Sequence, residues 1–85
     1  MIAKGAVRVL FFAALRESLD ARELWVGIED GTRAKDLLRC LQSVYPQGSD
    51  LLSQARVAVN QEMAEADRFL ADGDEVALLL PVSGG

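Results

Sequence analysis

Leu70-Ala71-Asp72-Gly73-Asp74-Glu75-Val76-Ala77-Leu78-Leu79-Leu80-Pro81 holds a turn, a strand and a stop within twelve residues. Asp72-Gly73-Asp74 has the small and left-handed-tolerant residues of a tight turn. From Glu75 to Leu80 the strand period of two puts Val76, Leu78 and Leu80 on one side, with Ala77 and Leu79 on the other. Pro81 has no N–H for further pairing, so the strand ends there and Val82-Ser83-Gly84-Gly85 runs on as a tail. At the other end of the chain Ala6 to Phe12 is equally rich in β-branched and aromatic residues. A right-handed crossover lets these two strands lie parallel in the centre of one sheet.

Working back from the closing strand, Glu62 to Ala64 reads as a brief strand, Asn60-Gln61 as a turn and Arg56 to Asn60 as a strand. Ala34, Leu37, Leu38, Leu41, Val44 and Tyr45 recur at helical spacing, which predicts a helix over Arg33–Tyr45 with Thr32 as its N-cap. Pro46, Gly48, Ser49 and Asp50 predict a loop after it. Upstream, Glu23–Ile28 predicts a second strand with Trp25 facing outward or at an edge, and Ala13–Leu19 a short helix. The class is α+β: one main helix across a mixed sheet of four to five strands. Residues 1–80 form the domain and 81–85 the tail.

In the first strand Val7, Val9 and Phe11 share one face, while Arg8, Leu10 and Phe12 share the other. A charged residue and two apolar ones on the second face conflict as core and as ordinary surface. Phe12, Leu79 and Met63 are therefore expected on the sheet face away from the long helix, where three apolar side chains make a docking patch.

The 85 residues carry no His, one Cys and a net charge of −4, with Lys4 and Lys35 the sole lysines. Imidazole catalysis and Cys/His zinc sites are excluded. The lack of a basic stripe argues against nucleic-acid binding. The longest apolar run, Val9 to Leu15, is far short of the roughly 20 residues of a membrane helix. With no secretory pattern at Met1–Gly5, the expected location is the cytoplasm. Cys40 sits mid-helix, where the sharp reading is a reactive thiol and the commoner one a half-buried small hydrophobe. Glu62, Glu65, Asp67, Asp72, Asp74 and Glu75 read as solvated charges that steer a basic partner.

The tail is the remaining candidate, either a frayed end without a role or an arm that carries chemistry. Two residues without Cβ pass through a channel too narrow for any side chain. From Pro81 the arm reaches roughly 15 Å, enough to present its carboxylate in another protein's active site. A carboxylate becomes an electrophile once an oxygen is made a leaving group, for example as an acyl-adenylate.

Leu10-Phe11-Phe12-Ala13-Ala14-Leu15-Arg16-Glu17, Val57-Ala58-Val59-Asn60-Gln61 and the run Leu70 to Gly85 resemble, in this order, the small subunit of molybdopterin synthase. Leu80-Pro81 stands where that family often has two prolines. The resemblance implies a ubiquitin-like β-grasp. It also implies that an ATP-using adenylating enzyme activates Gly85, with Gly84 the matching second glycine. A sulfur donor then makes the thiocarboxylate, and sulfur passes to cyclic pyranopterin monophosphate in the large subunit. Phe12, Arg16, Met63, Leu79, Pro81, Val82 and Ser83 would meet the partners, and two carriers would sit on a dimeric large subunit. The chain itself would bind no cofactor. The same terminal chemistry also serves carriers for thiamin thiazole, tRNA thiolation or tungsten-pterin, and ubiquitin-like modifiers.

Overall fold

A computed structural model describes residues 4–81. Val82, Ser83, Gly84 and Gly85, on which the tail reading rests, lie outside the described residues. The elements are β1 (Gly5–Phe11), α1 (Ala13–Leu19), β2 (Glu23–Ile28), α2 (Ala34–Val44), a 3-10 turn (Pro46–Gly48), α3 (Ser49–Ser53), β3 (Arg56–Val59), β4 (Glu62–Ala64) and β5 (Glu75–Leu79). The sheet order is β2-β1-β5-β3-β4. β1 and β5 are parallel, and the other three pairings are antiparallel.

The strand alternation builds the core. Val7, Val9 and Phe11 of β1, Val76 and Leu78 of β5, and Val57 and Val59 of β3 are buried on one face. They form one cluster with Leu15 and Leu19 of α1, Ala34, Leu37 and Leu41 of α2, and Leu52 of α3. Phe11 meets Tyr45 edge-on, with ring centroids 5.9 Å apart. Leu80, just past β5, is half-buried against the same cluster.

Five local readings change. β1 ends at Phe11, so Phe12 is not a strand residue; it keeps an extended backbone (φ −127°, ψ 155°) as the N-cap of α1. Thr32 does not cap α2. Its hydroxyl accepts the Glu29 N–H within the preceding turn, while Arg33 takes the cap position and its N–H donates to the Asp36 carboxylate at 2.9 Å. The Arg33 guanidinium is drawn away to stack 4.5 Å from the Phe69 ring.

The expected loop over Pro46–Asp50 is instead a 3-10 turn running into α3. Pro46 is favourable at a first helical position, and Leu52 anchors the added turn in the core. Gly48 is buried there, and a Cβ on it would collide with Leu19 Cδ2. Val44 is exposed, although it falls on the predicted apolar stripe; Leu41 and Tyr45 fill the core side of this last turn instead. Cys40 is likewise exposed rather than half-buried.

Asp72 is exposed and Asp74 half-buried, and both also hold the closing turn in place. Asp72 accepts the Ala6 N–H, and Asp74 accepts both the Ala71 N–H and the Asn60 amide, at 2.8–2.9 Å. Asn60 in turn accepts the Glu75 N–H at 3.0 Å. Gly73, at φ +86°, adopts the left-handed conformation this turn requires. The network pins the start of β5 between β1 and the β3–β4 turn. That anchorage fixes the direction in which β5 leaves the sheet.

Candidate functional site: the open face of the sheet and the exit of the central strand

β5 is the middle strand, and its last described residue outward is Pro81, which is exposed. Whatever follows Pro81 therefore departs from the centre of the sheet's end, beside the C-terminal end of β1.

The face opposite α2 carries the alternate residues. Pairing aligns Leu10, Ala77, Ala58 and Met63 in one row across β1, β5, β3 and β4. Ala58 and Ala77 make the floor of this row. Around it stand Met63, Phe12 and Leu79, 60 %, 45 % and 37 % exposed. Phe12 occupies the position after the Phe11–Leu78 pair and so falls beside Leu79. The three predicted patch residues thus share one face, with Met63 two strands from Leu79. Arg16 is exposed on α1 one turn after Phe12, its N–H donating to the Phe12 carbonyl.

Ala58 and Ala77 join Leu10 on this face, although the sequence reading did not name either alanine as a patch residue. The signal was present in the alternation, since each lies between buried residues of its own strand; Ala77 is half-buried and Ala58 is buried beneath its neighbours.

Above this apolar half lies a charged row. Arg8 Nε donates to Glu23 at 2.6 Å, and Arg8 Nη1 lies 3.8 Å from Glu75. The hydrogen bond and charge of Glu23, then the charge of Glu75, raise the Arg8 pKa above its ordinary value. Arg8 therefore stays charged at every working pH. Among the described residues no group of three or more Cys, Asp or Glu is placed to hold a metal ion.

A five-stranded mixed sheet with parallel β1 and β5, a helix across one face and a strand exit at its centre defines a ubiquitin-like β-grasp protein. A ubiquitin of Caldiarchaeum subterraneum shares this fold at TM-score 0.65 and 11 % identity, covering 95 % of this chain and 98 % of that one. The chain belongs to the ThiS family, whose model matches residues 9–85. It is 42 % identical over 81 residues to the molybdopterin synthase sulfur carrier subunit of Mycobacterium tuberculosis, covering 93 % of this chain and 96 % of that protein. Small archaeal modifier protein 1 of Haloferax volcanii superposes at TM-score 0.82 with 27 % identity, covering 92 % of this chain and 99 % of that one. A chain of the complex of subunits 1 and 2 of the Helicobacter pylori molybdopterin-converting factor superposes at TM-score 0.68 with 26 % identity, covering 94 % and 99 %.

Proposed function

We propose that this chain is the sulfur carrier of molybdopterin synthesis and that Gly85 is its sulfur-bearing residue. The observation that carries the reading is the family match through Gly85, on a β-grasp whose central strand leads into the terminal Gly84-Gly85. A carrier needs a rigid body, a docking face and an arm free of side chains. The ordering of β5 by Asp72 and Asp74 aims that arm from one place on the body.

In this reading the Gly85 carboxylate attacks the α-phosphate of ATP on an adenylating enzyme, releasing pyrophosphate and leaving an acyl-adenylate. A hydrosulfide equivalent from a sulfur donor then forms the C–S bond as the C–O bond to AMP breaks. The resulting thiocarboxylate enters the large synthase subunit, which holds the pterin and the acid–base groups. ATP belongs to the activating enzyme, and this chain binds no cofactor of its own. Phe12, Leu79 and Met63 dock on either partner, Arg16 adds a polar contact, and Pro81, Val82 and Ser83 line the way to Gly84-Gly85. The assembly is a heterotetramer of two carriers on a dimeric large subunit in the cytoplasm.

The test is intact-mass analysis after incubation with an adenylating enzyme, ATP and a sulfur donor that load a known carrier. Replacement of one oxygen by sulfur at Gly85 is the expected result, and an unchanged mass overturns the reading. Deleting Gly85 is expected to abolish loading. The likeness to an archaeal modifier favours one alternative, conjugation to lysines. It would be revealed by isopeptide products ending in Gly85 on other proteins.

A further inference from the structure

Six large hydrophobic side chains are exposed among the described residues, and four belong to the open face: Phe12, Met63, Leu79 and Trp25. The first three make the docking patch. Trp25 is on the same side because it pairs with Arg8, whose neighbours Val7 and Val9 point into the core. It is 60 % exposed on an edge strand, a place where soluble proteins ordinarily put charge. Arg8, the side chain paired with it, is turned to Glu23 and Glu75 and leaves the indole uncovered.

Area supplies the second observation. A stable interface needs roughly 800 Å² from each partner. That is a substantial share of this chain's 5489 Å² surface. At about 200 Å² per large side chain, the exposed parts of Phe12, Met63 and Leu79 supply only about 300 Å². Reaching the standard size requires the interface to spread along the face. One way leads across the Glu23–Arg8–Glu75 row to Trp25, which adds about 150 Å² of apolar surface.

We infer that Trp25 is an anchor of the carrier's contact with the large synthase subunit, seated in an aliphatic hollow of that partner beside a basic side chain. The inference rests on the carrier reading above. The basic side chain follows from charge: Glu23 and Glu75 present two carboxylates against the single Arg8 guanidinium, leaving one negative charge for the partner to match. Tryptophan suits the role because it brings a large rigid surface and an N–H that donates to a partner at the wet rim.

Trp25 is the only tryptophan, so it reports on itself. The full chain, labelled with 5-fluorotryptophan, is titrated with the unlabelled large subunit and followed by fluorine NMR. The single resonance is expected to shift and to lose its response to a soluble paramagnetic quencher in the complex. Trp25→Ala is expected to weaken binding about 10- to 100-fold, and Trp25→Phe by less. Leu79→Asp serves as the control for the docking face itself. If Leu79→Asp abolishes binding while Trp25 stays open to quencher in the wild-type complex and Trp25→Ala binds normally, the inference is overturned and the docking face stands. If Leu79→Asp also binds normally, the docking face fails and the inference fails with it. The fluorine readout uses unmutated protein, so misfolding of a variant does not blunt it.

Discussion

Leu78 and Leu79 are chemically identical neighbours on the central strand, yet Leu78 is fully buried and Leu79 is exposed. Phe11 and Phe12 repeat the contrast at the end of β1. The two faces of one sheet come from the same strands, read at alternate residues. The covered face is large, branched and tightly interlocked with α1, α2 and α3. The open face has two alanines at its centre and bulky residues at its rim. A covered face is constrained by the chain's own packing, and an open face is not.

Substitutions at adjacent positions break this comparison most sharply. Leu78→Asp places an unpaired charge in the core and is expected to remove more than about 4 kcal/mol, leaving the chain largely unfolded by circular dichroism. Leu79→Asp is expected to stay within about 0.5 kcal/mol of the parent in urea titration while losing its complex with the large subunit. Equal stability losses in the two variants would mean that the faces are not distinct.

Truncation sharpens the same contrast. Phe11→Ala is expected to cost about 3–5 kcal/mol, because it leaves a cavity and strips Tyr45 of its edge contact. Phe12→Ala should cost under about 0.5 kcal/mol in the same denaturation experiment and weaken partner affinity instead.

Gly48→Ala tests how tightly the covered side is packed. The added methyl meets Leu19, so a loss of about 1–3 kcal/mol in thermal melting is expected. A neutral result would show that the 3-10 turn has room to shift. Ala13→Gly is the smallest effect. Ala13 is held at φ +50° immediately after Phe12, a left-handed conformation that costs a Cβ-bearing residue about 1 kcal/mol. Removing the Cβ is expected to stabilise the protein by about 0.5 kcal/mol after the larger unfolded-state entropy of glycine is deducted. A destabilised variant would mean that the alanine methyl makes contacts outweighing the strain.

Much of the fold and of the docking face is legible in the residues themselves. The alternation in Ala6–Phe12 and Glu75–Leu80 names the core and open faces of both central strands, because a pleat sends successive side chains to opposite sides whatever surrounds them. The helical spacing of Leu37 and Leu41 is equally local. Elsewhere a longer-range partner decides the outcome. Pro46–Asp50 has loop composition, but Leu52 and the Leu19–Gly48 contact draw it into a turn and a helix. Asp72 and Asp74 read as surface charge, and only the fold shows that they also bind Ala6 and Asn60. Trp25 and Arg8 are far apart in the chain, and only strand register shows that they share a face.

By itself, the sequence determined the Gly84-Gly85 pair and the choice of face for the residues of the two central strands. A Gly-Gly end is a property of the covalent chain, and alternation is a property of one extended backbone. Strand order, the central place of β5 and the continuity of the open face from Met63 to Trp25 were decided by tertiary structure. Each depends on which strands pair and in which register, and pairing is set by how the helices close over the buried side.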